Sequence, residues 1–448
     1  MTSRILQPTD RPIDARLELP GSKSFANRAI VCAALRGEAC TIRNISPADD
    51  TAIMLNVLAD LGWRVTRSNP LSTEVRLEPP ARPVAGPQET QICTGAAGTA
   101  TRFTCALLTV LPGRFVLDGN ARMRQRPMGE LIAALRQLGA KIEERGEPGC
   151  VPLAIEGASL RGGKCSLRGD ISSQFLSALL MVAPTRGGGV EIEIEGELVS
   201  KPYVDITLEV MRAFGMHVER EGYRHFWNAA DPAASGPEAR GPYTVPPDGT
   251  AASYFWAAAA VTGGKCVIDG LTRQDVQGDV HFVDLLEQMG CEVLEFPNGL
   301  GVSRAMQASP LRAIEADLSA LPDCAQTLAV VCAFAEGTSR LTGLSTLRVK
   351  ETDRIAALQA ELAKLGVETR AGADWLEVDG TGNKSPASPT KPGRSRERTS
   401  PVSVRTYDDH RMAMSFAIAG LRVPLEIEGS ECVSKSFPKF WEYWERLA

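Results

Sequence analysis

The sequence predicts an α/β chain made of six copies of a β-α-β unit, divided into two domains of three copies each. The first observation behind this is a period. Five segments, "MLNVLADLGWRV", "LIAALRQLGAKI", "ITLEVMRAFGMHV", "FVDLLEQMGCEV" and "LQAELAKLGVET", each read as an amphipathic helix that stops on a glycine and runs into a strand. Their glycines, Gly62, Gly139, Gly215, Gly290 and Gly366, lie 77, 76, 75 and 76 residues apart, a spacing chance seldom keeps. The second observation is an earlier, alanine-rich helix in every period: "SKSFANRAIVCAAL", "GTATRFTCALL", "SSQFLSALLMVAP", "GTAASYFWAAAAV", "DCAQTLAVVCAFA" and "DDHRMAMSFAIAG". Helices that are apolar all round are buried helices. The third is the short β-branched or alternating runs between them, "CTIRNI", "VEIEIEGE", "KCVIDGL" and "SRLTGL", which read as strands.

Taken in order, the chain first breaks at "LPGSKSFANRA", where Gly21 frees the backbone to turn and Ser22 or Ser24 caps a helix. Lys23 and Arg28 then stand at a helix N-terminus that is already positive, which suggests a bound anion, the plain alternative from this stretch alone being a solvated loop lysine. The tract "NAADPAASGPEARGPYTVPPDG", between the third and fourth copies, marks the domain boundary. A sixth helix, "FPKFWEYWERLA", ends the chain with a spacing of 83, too long for the period. The excess traces to "TGNKSPASPTKPGRSRERTSPVSV", residues 381–404, which has little to bury and reads as a flexible surface insertion. The period exceeds the roughly 20–50 residues of solenoid repeats, so closed globular halves are expected.

Composition narrows the function classes. The chain has 448 residues, 44% hydrophobic and 23% charged, with a net charge of −5. No apolar run reaches the roughly 20 residues that span a bilayer, and the first residues, with Asp10, Asp14 and Glu18, are not a signal peptide. The acidic balance argues against a nucleic-acid surface. Eleven scattered cysteines without a C-x-x-C pair fit a reducing cytoplasm, and four histidines, His217, His225, His281 and His410, make no metal-ligand spacing.

The chemistry gathers at the starts of the buried helices: Lys23 and Arg28, Thr99 and Arg102, Ser172 to Gln174, Asp323, and Asp409 to Arg411. Arg126 in "RMRQRPMG", Ser200 and Tyr203 in "SKPY", Lys350, Glu351 and Arg354 in "RVKETDR", and Lys435 in "SKSF" add to them. Cations exceed acids in this set, so bound phosphates and carboxylates are expected to neutralise them. Asp323 and Glu351 are the acids available for proton transfer. Each also has a plain structural alternative, Asp323 as a helix cap and Glu351 with Arg354 as a helical ion pair. P-loop, dinucleotide-binding and G-x-S-x-G patterns are missing from the sequence.

Eight motifs in order, "PGSKSFANRA", "AGTATR", "RMRQRPMG", "SSQFLSALL", "SKPYVDIT", "LPDCAQT", "RVKETDRI" and "YDDHRMAM", resemble the 5-enolpyruvylshikimate-3-phosphate synthases of the enolpyruvyl transferase family. The match runs from about residue 7 to the C-terminus outside the insertion. The relatives that act on UDP-N-acetylglucosamine share the architecture, but "SSQF", "SKPY" and "RVKETDR" fit the shikimate branch better. The resemblance implies an inverted α/β barrel of two similar domains, each of three βαβαββ repeats, with the active site in the interdomain cleft. Residues 22–244 would form the N-terminal domain on the shikimate 3-phosphate side, and 1–21 plus 245–448 the C-terminal one.

The implied reaction carries the enolpyruvyl group of phosphoenolpyruvate to the 5-hydroxyl of shikimate 3-phosphate, releasing phosphate by addition and elimination, in aromatic amino acid biosynthesis. Neither cofactor nor metal is implied, and the protein would be a cytoplasmic monomer with these two small-molecule substrates as its partners, without nucleic acid or membrane. The resemblance assigns Lys23, Gly98, Thr99, Arg126, Gln174, Arg354, Arg411 and Lys435 to phosphoenolpyruvate. It assigns Lys23, Ser24, Arg28, Ser172, Ser173, Gln174, Ser200, Tyr203, Asp323 and Lys350 to shikimate 3-phosphate. Asp323 would take the 5-hydroxyl proton, and Glu351 with Lys23 would handle the proton at the vinyl carbon. The chain departs from the family pattern at Ala96, Phe103 and Thr346, where Asn, Pro and Asn are usual. The first two flank the pocket that glyphosate, the family's inhibitor, also occupies.

Overall fold

The computed structural model describes residues 2–69, 72–81, 88–185, 189–228, 241–305, 309–380 and 400–447. Its contacts divide the chain into two units, Pro20–Pro246 and Met1–Leu19 with Pro247–Ala448. Both are mixed α/β, and the same unit of structure recurs within each.

In the unit Pro20–Pro246 the pattern is clearest where the chain runs strand Thr90–Cys93, helix Gly98–Val110, strand Arg114–Asp118, helix Gly129–Gln137, then strands Lys141–Glu144 and Leu153–Glu156. The first two strands pair parallel, Thr90 opposite Phe115, across the helix that a parallel connection requires. The last strand inserts antiparallel beside the second, and the third lies outermost. The next repeat copies this with Gly163–Arg168, helix Ser173–Val182, Val190–Glu195, helix Pro202–Ala213, Glu219–Glu221 and His225–Asn228. The first repeat is discontinuous. Helix Lys23–Arg36, Cys40–Arg43, helix Asp49–Asp60, Arg64–Thr66 and Val75–Glu78 lack an opening strand, and Tyr243–Thr244, far along the chain, fills that place parallel to Cys40–Arg43.

The other unit uses the same device twice. Helix Gly249–Thr262, Gly264–Asp269, helix Phe282–Gln288, Glu292–Phe296 and Gly299–Arg304 receive their opening strand from Ile13–Glu18. A complete repeat follows: Glu315–Asp317, helix Ala325–Cys332, Thr338–Thr342, helix Arg354–Lys364, Glu368–Ala371 and Leu376–Asp379. The last repeat, Val402–Arg405, helix His410–Gly420, Leu425–Glu428 and helix Phe440–Glu445, is closed by Ser3–Leu6, antiparallel to Leu425–Glu428. Residues 402–404, expected in the insertion, therefore belong to this sheet, because Val402 and Val404 pair with Leu425 and Ile427. Residues 381–399 of that expectation lie outside the described residues.

Local sequence explains these elements. The alanine-rich helices are buried on every side; all fourteen residues of Gly249–Thr262 are. Small side chains let neighbouring layers approach closely on both faces. The second helix of each repeat buries one stripe instead, as Leu131, Ile132, Ala134 and Leu135 do in Gly129–Gln137. The five periodic glycines follow these helices at φ between 73° and 108°, where only glycine is unstrained. Gly21 proves different from expectation. Its glycine identity answers a close approach rather than a turn, because a Cβ there would collide with the Asn44 carbonyl and with Val245. The returning chain runs alongside, with Ser22 N–H donating to the Pro246 carbonyl (2.8 Å) and Val245 N–H to that of Arg43 (2.9 Å).

Candidate active site

In the unit Pro20–Pro246, helices Lys23–Arg36, Gly98–Val110 and Ser173–Val182 pack against one another, and Pro202–Ala213 packs on the first and third. Arg28 is the hub. Its guanidinium is buried, donates to Thr207 Oγ1 (2.7 Å), Ser177 Oγ (3.2 Å) and the carbonyls of Ser24 (2.8 Å) and Tyr203 (3.0 Å), and lies over the Phe103 ring. Burial pulls its pKa down to about 10, well above neutrality, so it stays charged. Ser200 precedes that helix with φ 55°, a left-handed conformation that costs a non-glycine residue about 1–3 kcal/mol.

A second group lies around Gln174. Its side chain accepts from Arg102 (2.7 Å) and donates to Thr99 Oγ1 (3.1 Å), while Ser172 caps the helix by accepting from Gln174 N–H (3.3 Å). Ser173, the first residue of that helix, is buried. Arg126 is buried against Gly98, whose missing side chain makes room for it: a Cβ there would stand 2.5 Å from Nη1 and 2.7 Å from Nη2. Nη1 also approaches the Ala96 carbonyl at 3.4 Å. Lys23 opens its helix as expected but pairs with Asp50 at 3.1 Å, a partner the sequence did not suggest. Asp50 could have been sought, since "DD" opens the next helix and acids favour helix starts.

The other unit assembles the acids. Asp323 accepts from Arg411 Nη2 (2.6 Å) and Arg354 Nη1 (3.3 Å), with Lys350 Nζ at 3.9 Å. Glu351 accepts from Arg354 Nη2 (2.9 Å) and Lys435 Nζ (2.8 Å). Arg354, its side chain 2% exposed, therefore joins both acids and adds a third through Nε to Asp409 (2.7 Å). Burial opposes its charge, but Asp409, Glu351 and Asp323 outweigh it and raise its pKa. Within this unit Lys350, Arg354, Arg411 and Lys435 each lie against an acid of the same chain, but they share three acids, Asp323, Glu351 and Asp409, so the expected excess of cations stands. Of the two structural alternatives, the cap falls away, because Asp323 lies in a short turn, Pro322–Cys324, ahead of the helix whose cap is Cys324; the Glu351–Arg354 pair does form, with Glu351 just ahead of the helix that Arg354 begins.

Two further features escaped the sequence. Asp279 accepts from Thr250 Oγ1 (3.0 Å) and from the thiol of Cys324 (3.2 Å), the residue next to Asp323. Burial first, and the charge of Asp323 second, push its carboxyl up to about 6. Asp409, seen in sequence as a helix start, caps helix His410–Gly420 through Arg411 N–H (2.9 Å) and at the same time holds Arg354. It follows a turn closed by its own N–H on the Thr406 carbonyl (2.9 Å), in which Tyr407 (φ 55°) and Asp408 (φ 56°) are both left-handed. Thr346 Oγ1 is buried without a hydrogen-bond partner among the described residues. No described helix is long and apolar enough to cross a membrane, and no described cluster of three acids, histidines or cysteines could hold a metal.

The family model for EPSP synthase (3-phosphoshikimate 1-carboxyvinyltransferase) matches residues 8–444. A protein from Sulfurovum sp. named 3-phosphoshikimate 1-carboxyvinyltransferase is 41% identical over 449 residues, covering 100% of both chains. One of the same name from Cellvibrio japonicus is 41% identical over 433 residues, 96% of each chain. Among solved structures, EPSP synthase from Acinetobacter baumannii superimposes with a TM-score of 0.76 at 26% identity, over 100% of this chain and 98% of its own. With its model matched over nearly the whole length, the chain belongs to the EPSP synthase family.

Proposed function

We propose that the chain transfers the enolpyruvyl group of phosphoenolpyruvate to the 5-hydroxyl of shikimate 3-phosphate, giving 5-enolpyruvylshikimate 3-phosphate and phosphate for aromatic amino acid biosynthesis. The observation that carries this is Arg354, a buried guanidinium shared between two acids, Asp323 and Glu351, each of which is also held by a second cation. Such an arrangement suits an anionic substrate. Its phosphate and carboxylate can replace the two carboxylates on Arg354, Arg411 and Lys435, releasing those carboxylates for proton transfer.

Phosphoenolpyruvate would lie on Arg354, Arg411 and Lys435 of one unit and on Lys23, Gly98, Thr99, Arg126 and Gln174 of the other. Shikimate 3-phosphate would lie on Lys23, Ser24, Arg28, Ser172, Ser173, Gln174, Ser200, Tyr203, Asp323 and Lys350. Asp323 removes the 5-hydroxyl proton as that oxygen bonds to C2 of phosphoenolpyruvate, while C3 takes a proton from Glu351 or Lys23 to become a methyl group. Loss of a C3 proton then re-forms the double bond as the C2–O bond to phosphate breaks. Both stages are proton transfers and C–O bond changes that carboxylates and cations serve by acid–base and electrostatic catalysis.

The two units would be the halves of an inverted α/β barrel, residues 22–244 and 1–21 plus 245–448, with the site in the cleft between them, in a cytoplasmic monomer. The family membership and the six recurring repeats support this. The test is phosphate release by the purified protein. Release should require both substrates, and UDP-N-acetylglucosamine should not replace shikimate 3-phosphate; no release with both present would contradict the proposal.

A further inference from the structure

The helix Arg354–Lys364 grips the loop ahead of helix His410–Gly420 at two points. At its start, Arg354 holds Asp409. Two turns later on the same face, Glu361 is fully buried and accepts from the Tyr407 hydroxyl (2.6 Å), the Arg405 backbone N–H (3.0 Å) and Lys364 Nζ (2.6 Å). Lys364 in turn donates to the Ser403 carbonyl (3.2 Å). The gripped segment is the turn whose central residues, Tyr407 and Asp408, both have positive φ. A bulky tyrosine seldom adopts that conformation, and the surroundings must hold it there.

From this geometry we propose that Glu361, through Tyr407, is a positioning residue that holds the strained turn in the one conformation presenting Asp409 to Arg354 and Arg411 to Asp323. The functional consequence rests on the proposed function above. Glu361 itself touches neither Arg354 nor Arg411 in any hydrogen bond described here; its effect passes through the backbone of 405–409. A relaxed turn would swing Asp409 away, freeing Arg354 from its fixed orientation and shifting the start of the helix that carries Arg411.

The test uses Tyr407→Phe, which removes one hydroxyl and keeps the ring, and Glu361→Gln, which keeps shape and loses charge. One hydrogen bond to a charged acceptor corresponds to about a tenfold effect or more. Each variant should raise KM for phosphoenolpyruvate by about tenfold, leave KM for shikimate 3-phosphate within about twofold, and gain little further when combined, because both act on the Glu361–Tyr407 contact. The arginine Nε–H resonance of Arg354, assigned with Arg354→Lys, should shift in both variants without any substrate. Unchanged KM values with an unmoved resonance, or equal losses for both substrates tracking a fall in thermal stability, would overturn the inference. If the wild type releases no phosphate but the resonance moves, the proposed function fails and the positioning role stands.

Discussion

Replacing Gly98 by alanine tests the phosphoenolpyruvate side of the site with a single methyl group. The added Cβ would stand 2.5, 2.6 and 2.7 Å from Nη1, Cζ and Nη2 of Arg126. Ordinary contacts between such atoms lie at about 3.5–4.0 Å, so the guanidinium must withdraw by roughly 1 Å. Arg126 is buried, and its Nη1 approaches the Ala96 carbonyl. A hydrogen bond from a charged donor contributes about 1.5–3 kcal/mol, so losing one to the substrate raises KM roughly tenfold to a hundredfold. Stability should fall by about 1–3 kcal/mol at most, the cost of overpacking a buried site, with the fold retained. Steady-state phosphate release should show KM for phosphoenolpyruvate up at least tenfold, with KM for shikimate 3-phosphate within about twofold. Adding Gly98→Ala to Arg126→Met should then change nothing further. An unaltered KM in the single variant, or a full additional loss in the double one, would refute the steric argument.

Asp323→Asn removes the proposed base while keeping its shape. Turnover should fall by about 10²–10⁴, and calorimetric binding of shikimate 3-phosphate should stay within a few-fold; equal losses in both would assign Asp323 to binding instead. Asp279 gives a pH prediction. Its carboxyl, raised from 3.8 to about 6, binds more protons folded than unfolded between those values, so its contribution favours the fold below about 4 and is lost as pH rises to 6. The integrated effect is about 3 kcal/mol. Urea midpoints of the wild type relative to Asp279→Asn should fall between pH 4 and 6 and level off above; a constant difference would show that the carboxyl is not perturbed.

Much of the fold was legible because its signals are local. Each periodic glycine follows a helix whose buried stripe is visible in a dozen residues, and each alanine-rich run declares burial by composition alone. The strands that complete the discontinuous repeats were not legible. Tyr243–Thr244 is only two residues long, and Ser3–Leu6 finds its partner at the opposite end of the chain. The insertion was drawn too long for the same reason, since "VSVR" looks polar until Leu425–Glu428 is seen beside it. In the site, the polar helix starts were legible as chemistry, but their counter-charges were not. Lys23 meets Asp50 and Arg354 meets Asp409 only after packing, and Gly98 matters because Arg126 comes to rest on it. Nothing in "LQAELAKLGVET" singles out Glu361; only its hydrogen bond to Tyr407, in the strained turn, shows what it holds.

The most direct measurement is the product formed from phosphoenolpyruvate and shikimate 3-phosphate in deuterium oxide, read by NMR. Addition and elimination through a methyl-bearing intermediate predict one new enolpyruvyl ether at O5, with solvent deuterium in its methylene group and one phosphate released per ether. No ether, or an ether carrying no deuterium, would contradict the proposed transfer.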